Sequence, residues 1–216
     1  MIVLGLHTAG PACALALIQG QEVVASKSAA MARGQDASLP GLVDRLLADA
    51  ALTLSHVERF AVVTGPGSFT GIRIGVAFAR GLALALQRPC LGVSSLEAAL
   101  PAGQQGSAIV ALPAQRRPPD ITYWAQTFRT GIPTGPPVEQ SLGALQAFLH
   151  ERPHIMFGAR EALQPHFPGV LIQAAAPSAV RAAVYATQLD PELHPAEPVY
   201  ARAPDATLPT KPPPAK

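Results

Sequence analysis

The sequence predicts an α/β fold built around a mixed sheet. Three short apolar runs, at residues 2–8, 12–18 and 21–31, follow one another at hairpin distances and indicate an antiparallel meander. A helical pattern at 38–52 comes next, and residues 59–94 then read as strand, glycine-rich turn, helix and strand. A strand that returns through a helix to the same sheet runs parallel to the first strand. The predicted order is therefore a meander, a helix and a β-α-β unit.

The first half of the chain supplies clear signals for each of these elements. Gly10-Pro11 and Gly20-Gln21 mark the two turns of the meander. Within 38–52, apolar residues recur at the spacing of one helix face, and charged residues fall on the opposite face. The strand at 59–64 leads into the turn Gly-Pro-Gly-Ser-Phe-Thr-Gly, which precedes a helix at 70–86.

The helix at 70–86 has almost no polar side. Arg73 and Arg80 are its charged residues, and small residues line two neighbouring faces at four-residue spacing. Glycine inside a helix costs about 0.5–1 kcal/mol relative to alanine, so Gly75 and Gly81 suggest that something packs very close to them. Two interpretations fit: a central helix buried within its own chain, or a helix with one side on the sheet and another on a partner.

The second half of the chain gives weaker signals. Candidate strands lie at 107–112, 121–129 and 154–157, with helices near 141–150 and 177–188. We predict three regions: an N-terminal lobe at residues 1–100, a smaller divergent lobe at 101–202, and a disordered proline-rich tail at 203–216.

Composition narrows the class of protein. The chain has 216 residues, 49% of them hydrophobic, which is ample for a core. The net charge of +2 is carried by scattered arginines, too weak a pattern to indicate direct nucleic-acid binding. Cys13 and Cys90 lie far apart in apolar runs, which predicts buried, reduced thiols. Neither a signal peptide nor an uncharged membrane-length run is evident, so we expect a soluble protein.

The glycine turn is the strongest candidate for a ligand site. A strand that enters a glycine turn and then a helix can present backbone N–H groups to a phosphate. A tight turn without a ligand fits the same residues, and neither a P-loop nor a dinucleotide fingerprint is complete. The candidate phosphate-binding residues are Gly65, Gly67, Ser68, Thr70, Gly71 and Arg73.

Residues for catalysis are scarce. The first turn carries His7 and Thr8 without a carboxylate that could hold Mg²⁺. His150 and His154 have the spacing of a metal pair, but Pro153 should end the helix between them, which favours two exposed loop histidines. Ser68 lacks the spacing of a nucleophile elbow. We therefore predict no catalytic residue and no metal site.

Several segments resemble one known family. Residues 2–8, 31–35, 62–86 and 195–209 are similar to TsaB, also called YeaZ. The similarity is convincing over roughly the first 100 residues and loose in the middle third. It implies an actin-like/Hsp70-like ATPase fold with two ribonuclease H-like lobes, the second of them reduced.

The resemblance also implies a role in making threonylcarbamoyladenosine next to the tRNA anticodon. In that family TsaB is a cytoplasmic, non-catalytic scaffold that pairs with its paralogue TsaD, the transferase, and the ATPase TsaE joins them. Contact with tRNA would then be indirect, and no cofactor would be required, although ATP or ADP could bind at the TsaD interface. The metal-binding histidine pair of TsaD has no counterpart in 35–52, and His7 stands where TsaB proteins commonly have aspartate.

The family's partner surface corresponds to the helices at 38–52 and 70–86. Without TsaD, such a surface should form a homodimer. Two enzymatic alternatives are a sugar-kinase-like protein or ATPase of the same fold, which would need a Mg²⁺-holding aspartate, and a peptidase, which would need a metal pair or nucleophile elbow. The predicted partner-binding residues are Leu39, Leu42, Val43, Leu46, Gly71, Ile72, Arg73, Gly75, Val76, Ala79 and Arg80.

Overall fold

The computed structural model describes residues 1–30, 35–115, 121–151 and 155–199. Its first sheet has the strand order β3-β2-β1-β4-β5. Strand β1 pairs antiparallel with β2 and parallel with β4, so the predicted meander and β-α-β unit are both confirmed. The strands are β1 (Ile2–His7), β2 (Ala12–Gln19), β3 (Glu22–Ala30), β4 (Arg59–Gly65) and β5 (Cys90–Ser94).

A second sheet follows with the order β11-β10-β6-β7-β8, and β9 also pairs with β7. The sequence pattern missed β8, β9 and β11, because segments of two to four residues carry too little periodicity to recognise. The strands are β6 (Ser107–Gln115), β7 (Thr122–Arg129), β8 (Ile132–Pro133), β9 (Val138–Ser141), β10 (Ile155–Gly158) and β11 (Ile172–Ala174).

The two sheets share one topology. In each, a central strand has an antiparallel neighbour on one side and two parallel strands on the other. The helix between the parallel strands differs greatly: it has 18 residues in the first sheet and 4 in the second. The second lobe is therefore a reduced copy of the first.

Five α-helices complete the described part of the chain: α1 (Gln35–Asp49), α2 (Phe69–Leu86), α3 (Leu142–Glu151), α4 (Arg160–Leu163) and α5 (Ala179–Ala186). Helix α1 begins three residues before the predicted start and ends before the predicted end. The chain leaves the helix at Ala51, whose φ of 52° lies in the left-handed region and cannot continue it. Helix α2 ends similarly at Gln87, with a φ of 52°.

Helix α5 follows the second sheet in the chain but packs on the first sheet. It packs on β1, where Gly5 lets the backbone of Ala179 and the side chain of Ala183 come close. Ala182 and Ala183 are fully buried in the core of the first sheet. The predicted second lobe at 101–202 thus contains a helix that completes the first lobe. The predicted tail at 203–216 and His154 of the candidate histidine pair lie outside the described residues.

The first sheet is covered on both faces. Helices α1 and α2 contact each other on one face, and α5 packs against β1, β2 and β4 on the other. The second sheet has separate apolar clusters on its two faces, one of which includes Leu96 and Leu100 from the connection between the lobes. Leu96 and Leu100 pack with the second sheet, and the Ser95 N–H donates to the Gly65 carbonyl of β4 at 2.7 Å, so the connection contacts both lobes.

Helix α2 is long and apolar enough to cross a membrane by length and composition. In this fold its residues Ile72, Val76 and Ala79 are buried against the first sheet. Packing in the core therefore accounts for the apolar character of that side of the helix.

Candidate functional site

A cleft of about 1160 Å³ opens between the two sheets. On one side it is lined by the end of β1, the following turn and the glycine turn before α2. On the other side it is lined by Leu112 and Pro113 at the end of β6, Ala159 after β10, and the segment that leads to α5. The carboxyl ends of parallel strands in both sheets therefore face this space, which is the usual position for ligands in α/β sheets.

The glycine turn is held against the turn that follows β1. The Ser68 N–H donates to the Ala9 carbonyl at 2.8 Å, and a side chain at Gly67 would lie 2.6 Å from that same oxygen. Ser68 caps α2, because its Oγ accepts the Gly71 N–H at 3.2 Å. Glycine is thus required at position 67 for contact between two loops of the same chain.

Thr8 explains two further glycines. Its Oγ1 donates to the Gly71 carbonyl at 2.7 Å, and both groups are buried. A Cβ at Gly71 would overlap the Thr8 carbonyl oxygen, and a Cβ at Gly75 would overlap Thr8 Oγ1. The close approach predicted at Gly75 is therefore made by Thr8, directly after β1 of the same chain, whereas at Gly81 no atom of the described residues comes within 4 Å of an added Cβ.

Two of the six candidate phosphate-binding residues, Gly67 and Ser68, line the cleft. Gly65 and Gly71 are buried, Gly65 beside Ile72 and Gly71 beside Thr8. Thr70 and Arg73 are exposed but do not line the cleft, and the Arg73 guanidinium lies 3.7 Å from the centre of the Phe69 ring. The structure therefore does not bring the six residues together as one site.

His7 is the titratable side chain at the cleft wall. Burial lowers the pKa of its imidazole to about 4, so the ring is neutral at pH 7. Its Nδ1 is buried and has no hydrogen-bond partner among the described residues. The described residues that line the cleft include no Asp or Glu. Such a wall offers neither a carboxylate ligand for Mg²⁺ nor a fixed positive charge from His7.

A second cavity of about 760 Å³ adjoins the cleft and shares Pro113, Ala159 and Ala175 with it. It lies in the second lobe, where Tyr123 of β7 and His166 contribute polar groups. Burial raises the pKa of the Tyr123 hydroxyl, so this group stays protonated and can donate a hydrogen bond. Sequence reasoning missed this cavity, because its residues come from four separate segments without a common motif.

Most of the predicted partner-binding residues are not accessible to a partner. Nine of the eleven are buried inside this chain, because they form the sides of α1 and α2 that face the sheet. These are Leu39, Leu42, Val43, Leu46, Gly71, Ile72, Gly75, Val76 and Ala79. They cannot meet a partner unless the core opens. Arg73 and Arg80 are exposed.

The outer side of α2 is exposed and carries small and apolar residues. Leu84 is 82% exposed, and nothing lies within 4 Å of a Cβ added at Gly81. Ala77 and Ala85 are exposed on the same side, while Ile74 and Phe78 are half-buried at its edge. We call Arg73, Ala77, Arg80, Gly81 and Leu84 the outer face of α2. Ala77 and Gly81 of this face, together with Ala85, form the second line of small residues at four-residue spacing that the sequence shows.

Within the described ranges no three His, Cys, Asp or Glu side chains come together in a metal-binding group. Both cysteines are free: Cys13 is buried as predicted, whereas Cys90 is half-buried. Burial raises the pKa of the Cys90 thiol to about 12, which leaves it almost wholly protonated at neutral pH.

Comparisons with known proteins find relatives whose names refer to tRNA modification. The family profile described as "TsaD: tRNA N6-adenosine threonylcarbamoyltransferase" matches residues 25–116. The "tRNA threonylcarbamoyladenosine biosynthesis protein TsaB" of Haemophilus influenzae is 32% identical over 136 residues, which cover 61% of this chain and 56% of that protein. An uncharacterised protein of Mycobacterium tuberculosis is 33% identical over 213 residues, or 94% of this chain and 93% of that one.

Solved structures agree on the fold. YeaZ from Pseudomonas aeruginosa has 26% sequence identity and a TM-score of 0.67, and covers 92% of this chain and 99% of that one. A ROK hexokinase from Thermus thermophilus has a TM-score of 0.50 at 14% identity, covering 85% of this chain and 96% of that one. The predicted two-lobed actin-like ATPase fold is thereby confirmed.

Proposed function

This chain belongs to the TsaB (YeaZ) family, and from that premise we propose that it is a non-catalytic scaffold subunit in threonylcarbamoyladenosine formation on tRNA. Its partner would be the TsaD transferase, which this subunit would hold in a competent shape, with TsaE joining the pair. Contact with tRNA would run through the complex, in the cytoplasm. The alignment spans about half the length of the Haemophilus TsaB protein, so the activity and the partners are part of this proposal.

The outer face of α2 is the observation that carries the proposal. Its exposed side chains are small or apolar except for two arginines, and Leu84 is 82% exposed. A surface helix normally has a polar side, and apolar side chains left in water favour association. Ala77 and Gly81 would let the backbone of a partner helix approach closely. In the absence of TsaD, the same face would pair with a second copy of this chain.

The chemistry of the cleft supports a subunit without its own catalytic step. Phosphoryl transfer needs Mg²⁺ ligands or cationic groups at the transferring phosphate. His7 is neutral, and the described lining residues contain no carboxylate. We assign no required cofactor to this chain, and leave ATP or ADP to an interface with TsaD.

Paired glycine substitutions test the docking face. Gly81 in α2 and Gly143 in α3 are both exposed helix residues with nothing within 4 Å of an added Cβ. Gly81→Glu should place a carboxylate in the interface and weaken TsaD binding at least tenfold, while Gly143→Glu should leave it unchanged. Titration of each purified variant with the cognate TsaD, followed by calorimetry, measures the difference. Equal affinities for both variants would contradict docking through the outer face of α2.

The enzymatic alternative, a sugar-kinase-like protein or ATPase, is favoured by one observation: Gly67 and the helix cap Ser68 do face a large cleft. A helix N-terminus of this kind can hold a phosphate. ATP hydrolysis by the isolated chain separates the two functions. Robust turnover without TsaD would favour the enzyme, and its absence together with TsaD binding would support the scaffold.

A further inference from the structure

Arg80 lies at the centre of the outer face of α2. Residues three and four apart are neighbours on a helix, so Arg80 lies beside Ala77 and Leu84, and it directly precedes Gly81. Arg80 and Gly81 are both exposed. The 18 residues of α2 include no Asp or Glu. A helix that packs over Ala77 and Gly81 therefore meets the guanidinium of Arg80 without a carboxylate beside it on α2.

The surroundings of Arg80 do not neutralise this charge. Arg80 also lines a groove of about 480 Å³ between α2 and residues 191–197, together with Arg88 and Glu197. In the described part of the chain, the ion pairs join other residues, and none links Arg80 to Glu197. With Arg73, the outer face of α2 and the groove carry three arginines and one carboxylate. The docking surface is therefore positively charged.

A second copy of the chain would bring two Arg80 residues together. Homodimers are most often two-fold symmetric, so both copies of α2 would cross at the same residues. If they cross between Ala77 and Gly81, each Arg80 lies at most about 4.5 Å from the crossing point along its own helix. Packed helices are about 8–10 Å apart, which places the two residues within about 12 Å of each other, close to the screening length of about 10 Å at 0.1 M salt. Like charge therefore opposes self-pairing at every crossing over these small residues.

We propose that Arg80 selects the partner of the outer face of α2, favouring a helix with a carboxylate opposite Arg80 over a second copy of this chain. This inference rests on the proposed function, in which TsaD docks on that face. The partner helix would offer small residues to Ala77 and Gly81, and Asp or Glu to Arg80. The same guanidinium then stabilises the heterodimer and destabilises the homodimer, which favours exchange of the second copy for TsaD.

Salt should act on the two assemblies with opposite sign. An increase in NaCl from about 50 to about 500 mM shortens the screening length from roughly 14 to roughly 4 Å. Self-association of the isolated chain, measured by sedimentation equilibrium, should become stronger because the repulsion is screened. Binding to the cognate TsaD, measured by calorimetry, should become weaker because the attraction is screened. An interface held by apolar contacts alone gives no such difference in sign.

Arg80→Gln removes the charge and keeps a long polar side chain. The variant should self-associate about two- to tenfold more tightly than the parent and bind TsaD about two- to tenfold more weakly. The matched control is Arg129→Gln, which makes the same change in net charge at an exposed residue of β7 in the second lobe. This control should change neither affinity.

The two affinities separate charge selection from other roles of Arg80. A shift of both affinities in the same direction would indicate that Arg80 acts through packing, and it would overturn the proposal. Unchanged or weaker self-association of Arg80→Gln, or an equal response to Arg129→Gln, would overturn it as well. If the parent does not bind TsaD at either salt concentration, the proposed function fails and with it the choice of partner. If the parent binds TsaD and Arg80→Gln binds it equally well or better, the role of Arg80 alone fails.

Discussion

Replacing Gly75 or Gly81 by alanine should change stability in opposite directions, although both glycines lie on α2. Alanine is favoured over glycine inside a helix by about 1 kcal/mol, and this gain applies at both positions. At Gly81 nothing lies within 4 Å of the new methyl group. Gly81→Ala should therefore raise the free energy of unfolding by about 0.5–1 kcal/mol.

At Gly75 the new Cβ would overlap Thr8 Oγ1. Overpacking of a tight contact costs about 1–3 kcal/mol. If Thr8 rotates away, its buried hydrogen bond to the Gly71 carbonyl is lost as well, at about 1 kcal/mol. After subtraction of the helix gain, Gly75→Ala should lower the free energy of unfolding by about 1–3 kcal/mol.

Urea denaturation followed by far-UV circular dichroism measures both variants. In thermal scans each 1 kcal/mol corresponds to about 2–4 °C for a chain of this length. The Thr8→Ala variant gives an internal check, because removing Oγ1 leaves room for the methyl group. In that variant Gly75→Ala should lower the free energy of unfolding by less. Equal effects at the two glycines, or an unchanged cost of Gly75→Ala in that background, would refute the packing of α2 on Thr8.

Two further predictions concern groups buried at the first sheet. Burial lowers the pKa of His7 from its usual 6.5 to about 4. Between these two pH values the unfolded chain binds a proton at His7 that the folded chain does not bind, so the free energy of unfolding falls as the pH drops from 6.5 to 4. Between pH 7 and 5 the unfolding free energy should fall by about 2 kcal/mol more in the parent than in His7→Asn; equal losses would contradict the burial of His7. Arg59 Nη1 donates to the Ala186 and Leu189 carbonyls at 2.6 and 3.0 Å, so Arg59→Met should destabilise the fold by about 1–3 kcal/mol in urea. The exposed Arg88→Met should stay within about 0.5 kcal/mol, and similar values for both arginines would argue against the α5 contact.

The first lobe could be predicted from the sequence because its signals are local. Gly10-Pro11 and Gly20-Gln21 mark its turns, and the apolar spacing of α1 and the run around α2 are long enough to recognise. Hydrophobic spacing predicts which face of a helix is buried, but it does not indicate whether that face is covered by the same chain or by a partner. The pattern therefore predicts partner contacts for Leu42 and Gly75, although both residues are buried against their own chain.

The candidate site depends on contacts that no local pattern records. Gly71 and Gly75 sit against Thr8, which is more than sixty positions earlier in the chain. The exposed side of α2 carries the two arginines of the helix but otherwise small and apolar residues such as Gly81 and Leu84, so its hydrophobic pattern differs little from that of the buried side. Strand β11 forms because it pairs with β10, and its own three residues are too few to show the alternating pattern of a strand.

The placement of α5 has a consequence for how the protein is made. The first sheet lacks the cover of one face until residues 179–186 have been synthesised, about 85 residues after its last strand ends at Ser94. A nascent chain that ends between the lobes would leave the face around Gly5 open to water and to other chains. The second lobe is in effect an insert inside the first, so the amino-terminal half reaches its final form only after nearly the whole chain has left the ribosome.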